Sequence, residues 1–189
     1  MKAVVLGGTF NPVHYAHLFI AEEVRSALGY DTAIFVPSNL SVHKDPSPVA
    51  APEHRLAMLR MAVSGNDRLI VDDGEIVRGG PSYSIDTLVE LVPRHGIEGR
   101  PGFLIGDDLV PGFSTWKNVD QLVRLVDLIV ARRTPAGSVA LTHPHRTVMN
   151  AVLPISSSEI RQRLGEGRSV RYLLPDAVLA YIKDNALYG

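Results

Sequence analysis

Residues 3–17 read AVVLGGTFNPVHYAH, and this segment decides the fold class. The apolar run Ala3–Leu6 is typical of a buried strand, and the two glycines after it permit a tight turn. A helical pattern then extends from about Pro12 to Leu28. Because a strand that leads through a turn into a helix is the first half of a βαβ unit, we expect a mainly parallel sheet.

The rest of the chain repeats this alternation of short apolar runs and helical patterns. Further strands are predicted at 32–36, 69–71, 75–77, 103–105, 128–131 and 148–153. Helices are predicted to begin at Pro52, Ser84, Val119, Ser156 and Pro175, with Ser84 and Ser156 as N-caps. The pattern predicts an α/β fold, a doubly wound sheet with helices on both faces.

Length, charge and composition limit the class of protein. With 189 residues we expect one domain, 1–189, with a C-terminal helical part from about residue 155 packed on it. A net charge of −1 argues against a nucleic-acid-coating protein. The absence of cysteine excludes disulfides and thiolate sites and fits a cytoplasmic protein. No apolar run reaches the length of a membrane span, so no membrane partner is expected.

Ligands of such sheets bind beyond the carboxyl ends of the strands, which draws attention to the loops there. The loops that follow predicted strands and carry unusual residues are Gly7–His17, Pro37–Lys44, Gly106–Trp116 and Ile155–Arg161. In the first loop, glycine N–H groups and a helix N-terminus favour a phosphate, and His14 and His17 share one helix face. From spacing alone, phosphate binding and a capping or packing role of the two histidines are equally open, and half of a metal site is a further alternative that has no obvious third ligand nearby.

The segment Ser156–Arg161 reads SSSEIR and allows two interpretations. Ser156 and Glu159 form a regular capping box, which is the commoner meaning of this spacing. Three hydroxyl groups and Arg161 at a helix N-terminus also make an anion site. The two roles are compatible.

The combination of both segments carries a family resemblance. Gly7–His17 resembles the nucleotidyltransferase signature of a glycine-rich turn followed by His-x-Gly-His, and looks like the nicotinate-nucleotide adenylyltransferase family in particular. Ile155–Arg161 resembles that family's second signature, Ile-Ser-x-x-x-Ile-Arg. The resemblance covers nearly the whole chain and implies a Rossmann-like fold. One position departs from the signature, since Ala16 stands where the family has its inner glycine, and the added methyl group is expected to crowd the nucleotide base.

The resemblance implies roles for residues at both substrates. It makes His14, His17 and Arg161 the catalytic residues that contact the ATP phosphates. It assigns further ATP contacts to Gly7, Gly8, Thr9, Phe10, Ala16, Gly106, Asp108, Ile155, Ser156 and Ser157. It assigns mononucleotide contacts to Asn39, His43, Lys44, Tyr83, Ser84, Trp116 and Arg133. Trp116, the only tryptophan, is expected to stack on the pyridine ring, although a core role is usual for this residue type.

The implied reaction joins the AMP unit of ATP to nicotinate mononucleotide, giving nicotinate adenine dinucleotide and pyrophosphate. Mg²⁺ is expected as cofactor, bound mainly through the ATP phosphates, with no side chain as metal ligand. Competing hypotheses are a nicotinamide-mononucleotide enzyme, another nucleotidyltransferase, a non-catalytic nucleotide-binding module because of Ala16, and a zinc-binding domain. No nucleic-acid partner is expected, and the oligomeric state stays open, a homodimer included.

Overall fold

A computed structural model of the chain describes residues 1–42, 50–132, 141–149 and 153–189. The strands are β1 (Ala3–Gly8), β2 (Thr32–Pro37), β3 (Leu40–Ser41), β4 (Leu69–Val71), β5 (Pro81–Ser82), β6 (Gly102–Gly106), β7 (Asp127–Arg132) and β8 (Arg146–Met149). The helices are α1 (Tyr15–Ala27), α2 (Pro52–Val63), α3 (Gly74–Arg78), α4 (Ser84–Arg94), α5 (Val119–Leu125), α6 (Ser157–Gly165) and α7 (Asp176–Asp184). A 3₁₀ helix, Asp107–Thr115, follows β6.

Six strands form one parallel sheet in the order β4-β2-β1-β6-β7-β8. This is the order of a doubly wound Rossmann-type sheet, so the predicted fold class is confirmed. The order reverses between β1 and its neighbour β6, where Val5 pairs with Phe103. At such a switch point the loops after the two strands diverge to opposite faces and leave a crevice.

Helices cover both faces of the sheet and form two hydrophobic cores. Alternate strand residues enter different cores, because successive side chains of a strand point to opposite faces. Val4 and Phe35 lie in the core that also contains the C-terminal residues Val178 and Ile182. Val5 lies in the other core, together with residues from α4 and α5. The part from residue 155 onward thus packs on the main sheet through the first core. None of the helices in the four described stretches combines the length and the apolar character that crossing a membrane requires.

The predicted strand at 75–77 is wrong, because these residues belong to α3. Asp72 accepts a hydrogen bond from the N–H of Gly74, and the N–H of Val77 donates to the carbonyl of Asp73, which closes a helical turn. Val77 is 78% exposed, whereas Glu75 is buried. The short segment after Asp73-Gly74 suggested a returning strand, but in the helical turn the carboxyl group of Glu75 is buried and bonds to Thr87 and Ser82.

Other boundaries shift by a few residues. Ser84 is the first residue of α4 rather than its N-cap, because the extended backbone before the helix belongs to Tyr83. The last strand, β8, begins at Arg146 instead of Val148. The Ser156 cap is confirmed, since its hydroxyl accepts a hydrogen bond from the N–H of Glu159 at 3.1 Å. The predicted loop before Trp116 contains the 3₁₀ helix.

Candidate active site

The turn between β1 and α1 is built around the ring of Phe10. Phe10 has a positive φ of 49° and its ring is buried against His17 and Phe35, at centroid distances of 5.0 and 5.8 Å. A Cβ on Gly8 would lie 3.0 Å from that ring, so this position has room only for glycine. Phe10, predicted to contact ATP, therefore contributes its side chain to the core and shapes the turn from beneath.

His14 and His17 lie together at the N-terminus of α1. Their rings stack with centroids 3.7 Å apart and an angle of 21° between the planes. The backbone N–H of His14 donates to Nδ1 of His17 at 3.3 Å. Because Nδ1 of His17 accepts this bond, the proton of its neutral ring resides on Nε2. Each side chain accepts a backbone N–H of the other residue in a capping box, so the pair lies at the positive end of a helix, a location that suits phosphate oxygens.

The N-terminus of α6 is attached to the same turn. The hydroxyl of Ser157 donates to the carbonyl of Pro12 at 2.9 Å, and Nη1 of Arg161 donates to the carbonyl of Asn11 at 2.8 Å. Two segments about 140 residues apart in sequence therefore converge on one turn. Because a guanidinium carries five N–H donors, Arg161 keeps donors for a phosphate after these contacts.

Sequence analysis missed Arg55, which holds the loops of the site together. This residue is 1% exposed, and its guanidinium donates to the carbonyls of Thr9, Asn39 and Ala50 at 2.8, 3.1 and 3.0 Å. Burial lowers the pKa of Arg55, although a guanidinium stays protonated at neutral pH. The signal in the sequence was a charged residue four positions before buried Leu59, on the apolar face of α2.

Asn11 and Tyr188 were also missed. The side-chain oxygen of Asn11 accepts hydrogen bonds from the N–H of Ala50 at 3.1 Å and from the hydroxyl of Tyr188 at 2.7 Å. Burial raises the pKa of the Tyr188 hydroxyl. The penultimate residue of the chain thus buttresses the β1–α1 turn, a contact across 177 positions that no local pattern signals.

A cleft of about 680 Å³, including its open mouth, lies at the switch point of the sheet. It brings together three of the four loops that the sequence singled out, and adds α3 and β5 on one side. Its lining includes Gly7, Gly8, Thr9, Ser38, Ser41, Val42, Glu75, Ser82, Ser84, Gly106, Leu109 and Trp116. The fourth loop, Ile155–Arg161, reaches this site through its hydrogen bonds to the β1–α1 turn.

One end of the cleft is aromatic. Trp116 is 9% exposed and packs on Phe113 and Phe103, at centroid distances of 5.0 and 6.2 Å, while part of it lines the cleft. The core role and the proposed stacking role are therefore compatible. Tyr83 lies at the start of α4, and Nζ of Lys117 lies 4.5 Å from the centroid of its ring. Ser84, the next residue, lines the cleft.

Glu75 provides a buried carboxyl group at the same end. It is 6% exposed, lines the cleft, and its Oε1 lies 2.5 Å from Oγ1 of Thr87. Burial raises its pKa, and hydrogen bonds from Ser82 and Thr87 and the charge of Arg78 oppose this rise. Sequence analysis placed this residue in a strand and missed it. An acidic residue flanked by Gly74 and apolar Ile76 was the available signal.

Gly106 and Asp108 form a tight unit after β6. A Cβ at position 106 would lie 2.3 Å from Oδ1 of Asp108, so only glycine fits while this carboxylate keeps its position. Gly106 lines the cleft, and Asp108 is exposed beside it. Both residues lie at the carboxyl edge of the sheet, and their contacts with ATP stay a prediction.

The remaining predicted residues divide into three groups. The side chain of Asn39 donates to the carbonyl of Gly80 at 3.0 Å, which ties its loop to β5. Ala16 is half-buried in the first turn of α1, and Ile155 packs against the first core. His43, Lys44 and Arg133 lie outside the described residues. In the described ranges, no three or more His, Asp or Glu side chains are grouped as a metal site requires.

Comparison with known proteins places the chain in a wide group of relatives. Residues 5–163 match the model of the cytidylyltransferase-like family. The protein named "Probable nicotinate-nucleotide adenylyltransferase" from Borrelia garinii is 39% identical over 188 residues, which cover 100% of this chain and 95% of that protein. The protein of the same name from Geobacillus kaustophilus is also 39% identical, over 100% of this chain and 86% of its own length.

Solved structures with the same fold are more distant in sequence. The Plasmodium falciparum nicotinic acid mononucleotide adenylyltransferase complexed with NaAD superposes with a TM-score of 0.79 at 18% identity, covering 100% of this chain and 98% of that one. The same enzyme complexed with APC gives a TM-score of 0.78, over 99% and 96% of the two chains. At this identity the likeness establishes the fold.

Proposed function

Because this chain belongs to the nicotinate-nucleotide adenylyltransferase family, we infer that it transfers the adenylyl group of ATP to nicotinate mononucleotide. The products are nicotinate adenine dinucleotide and pyrophosphate, and the reaction is a step of NAD biosynthesis. The observation that carries this conclusion is the 39% identity with relatives of that name along the entire chain. That a structural neighbour was solved with NaAD supports a nicotinate product over the nicotinamide alternative.

The chemistry requires no proton transfer by a side chain. The second pKa of a mononucleotide phosphate is about 6, so the phosphate is largely dianionic at neutral pH and is already a nucleophile. Its oxygen forms a bond to the α-phosphorus of ATP, and the bond from that phosphorus to the bridging oxygen of pyrophosphate breaks. The protein then has two tasks, which are to align the two phosphates and to stabilise the charge on them.

The β1–α1 turn and the N-terminus of α6 are suited to hold the ATP phosphates. The stacked rings of His14 and His17 lie at a helix N-terminus, where their remaining nitrogens would donate to phosphate oxygens, and Arg161 bonds to Asn11 of the same turn. Charge on the α-phosphate and on the leaving pyrophosphate would be stabilised by this group of donors. Gly7 and Gly8 line the cleft without side chains, so the triphosphate can approach the backbone.

The aromatic end of the cleft is suited to the pyridine ring. Trp116 offers a ring supported by Phe113, and aromatic stacking is favoured where the supporting side chain is already ordered. The N-terminus of α4 begins at Ser84, which lines the cleft, and its backbone N–H groups would meet a substituent of the pyridine. Ser38 lies in the cleft between the two ends, and its buried hydroxyl has no hydrogen-bond partner in the described part of the protein. This hydroxyl is available to a substrate oxygen.

Magnesium is proposed as the cofactor. The described residues offer no group of three ligating side chains, which fits an ion that takes its ligands mainly from phosphates and water. When bound, Mg²⁺ neutralises charge on the phosphates that react. The protein donors would then orient those phosphates and stabilise the charge that remains on them.

The test is pyrophosphate release from ATP and Mg²⁺ with nicotinate or nicotinamide mononucleotide offered separately. We expect a strong preference for nicotinate mononucleotide, and a loss of about 10²–10³ in turnover for His17→Ala, the size seen when one charge-stabilising donor is removed. His54→Ala is a matched control, because His54 bonds to Tyr181 on α7 and does not line the cleft. ATP binding without pyrophosphate release from either substrate would favour the non-catalytic alternative.

A further inference from the structure

Glu75 occupies an unexpected position for an enzyme that binds a pyridine carboxylate. Its carboxyl group is buried, lines the cleft that Ser84 and Trp116 also line, and bonds to Ser82 and to Thr87 of α4, the helix that begins at the end proposed for the pyridine ring. Nicotinate carries a negative charge on that ring, whereas nicotinamide is neutral there. An ionised Glu75 would repel the first substrate and accept a hydrogen bond from the amide of the second.

The hydroxyl of Thr87 can bond to Glu75 in either charge state of the carboxyl group. Oγ1 of Thr87 lies 2.5 Å from Oε1 of Glu75 and 3.2 Å from the carbonyl oxygen of Tyr83, and it accepts a bond from Arg78 at 3.1 Å. A hydroxyl has a single proton, and the carbonyl can only accept. An ionised Glu75 accepts the proton of Thr87, whereas a protonated Glu75 donates to Thr87 and frees that proton for the carbonyl of Tyr83, which also accepts the backbone N–H of Thr87 at 3.1 Å.

The second oxygen-bearing neighbour of Glu75 is Ser82, which links the carboxyl group to the opposite wall of the cleft. The hydroxyl of Ser82 accepts a hydrogen bond from the backbone N–H of Asn39 at 2.9 Å, so its own proton points elsewhere, and it hydrogen-bonds to Glu75. The carboxyl group can therefore be neutral and remain fully hydrogen-bonded, with one oxygen toward Thr87 and one bond received from Ser82. A change in the charge of Glu75 therefore alters its hydrogen bonds to both Thr87 and Ser82.

The charged groups that face Glu75 leave its charge largely uncompensated. Arg78, on the same helix, is paired with Glu90 at 2.8 Å. Asp72, at the end of β4, raises the pKa of Glu75, and Arg55, buried on α2, interacts with it at longer range while bonded to three carbonyls. Burial is the largest cause of the raised pKa.

We infer that Glu75 is a specificity-determining residue whose neutral carboxyl group admits the carboxylate of nicotinate mononucleotide and whose ionised form rejects it. This inference rests on the proposed function. As pH rises and Glu75 ionises, KM for nicotinate mononucleotide increases, because two carboxylates then share the cleft. A repulsion that couples the two ionisations by about one pK unit raises KM about tenfold. KM for nicotinamide mononucleotide does not increase in this way.

The experiment measures KM for both mononucleotides from about pH 5 to about 9, the range that documented pKa values of buried glutamates span. The ratio of the two KM values removes the titration of the phosphate, which both substrates share. The ratio for the wild-type protein is expected to rise about tenfold toward high pH. In Glu75→Gln it is expected to stay flat at the low-pH value, since the amide keeps the size of the carboxyl group without its charge. Glu98→Gln, an exposed residue paired with the N-terminus, controls for the loss of one negative charge.

The possible results separate the inference from the function on which it rests. If neither mononucleotide yields pyrophosphate with the wild-type protein, the proposed function fails. If nicotinate mononucleotide is used but the wild-type ratio is flat with pH, or Glu75→Gln follows the wild-type curve, the role of Glu75 is refuted. The wild-type ratio alone decides the question if the variant does not fold.

A stability measurement gives a second readout. The folded-state pKa of Glu75 is raised above the unfolded value of about 4.3, so its contribution to stability is complete below that pH and is lost as pH rises through the folded pKa. The free energy of unfolding of the wild-type protein should therefore contain a decline with pH that Glu75→Gln lacks. Identical pH dependence of unfolding in both proteins would contradict a neutral buried carboxyl group.

Discussion

Replacing Arg55 by lysine tests whether one buried guanidinium holds both substrate loops. The guanidinium donates to a carbonyl in the β1–α1 turn, at Thr9, and to carbonyls at both ends of the 39–50 segment, at Asn39 and Ala50. Lysine keeps the positive charge but carries its three donors on a single nitrogen, which cannot reach carbonyls that three different guanidinium nitrogens meet, so we expect it to keep one of these bonds. The variant therefore separates the geometry of Arg55 from its charge.

The expected loss of stability follows from the two bonds that lysine cannot make. A hydrogen bond to a charged group contributes about 1.5–3 kcal/mol, and the lower end applies here because the loop carbonyls can be rehydrated. We therefore expect Arg55→Lys to lower the free energy of unfolding by about 3 kcal/mol. With an m-value of about 2 kcal/mol/M, the urea midpoint would fall by about 1.5 M. KM for ATP and for the mononucleotide should rise together, since both loops lose the same support.

Arg60→Lys is the matched control on the same helix. Its side chain is 57% exposed and pairs with Asp73 at 2.8 Å, so the expected loss is below about 0.5 kcal/mol and neither KM should change. Urea unfolding and initial-rate kinetics are measured on the wild-type protein, Arg55→Lys and Arg60→Lys. A loss below about 1 kcal/mol for Arg55→Lys, or a change in only one KM, would refute the reasoning that Arg55 joins the two loops.

Three further predictions concern residues around the ATP end. Gly106→Ala should cost less than about 1 kcal/mol of stability, because the exposed Asp108 carboxylate can move away from the added methyl group. If Asp108 holds the ribose, the same variant should raise KM for ATP about tenfold, and an unchanged KM would contradict that role. Tyr188→Phe should lose about 1–2 kcal/mol in urea unfolding through the bond to Asn11. Since the folded-state pKa of Tyr188 is raised, wild-type stability should fall above about pH 10, and an equal fall in the variant would contradict this. Ala16→Gly should lower KM for ATP while costing about 1 kcal/mol of helix stability, and an unchanged KM would show that the methyl group does not crowd the base.

The fold was readable because each strand and helix carries its own pattern. Ala3–Leu6 and residues 32–36 are apolar along their whole length, as strands buried on both faces must be, and the glycines and prolines between elements mark the turns. The prediction of a strand at 75–77 was wrong for the opposite reason, because this segment carries no clear pattern of its own. Three residues with an apolar middle do not distinguish a strand from a helical turn, and burial of Glu75 decided between them.

The same difference between local and long-range signals separates the site residues that were predicted from those that were missed. His14, His17 and Arg161 were predicted because their motifs are local, and the structure brings both motifs to one turn through the bond between Arg161 and the carbonyl of Asn11. The roles of these residues stay predictions until the variants are measured. Arg55 was missed because nothing in its own helix indicates the three carbonyls it meets.

The sequence by itself determined most of the order of strands and helices, the glycine turn and the two motifs that are predicted to bind phosphate, because these depend on residues close together in the chain. Only the tertiary structure decided which loops share the cleft, that Tyr188 supports Asn11, and that Glu75 lies buried beside the proposed pyridine site. Hydrogen bonding and desolvation act on neighbours in space. A carboxyl group such as that of Glu75 takes its charge from surroundings that the linear order of residues does not specify.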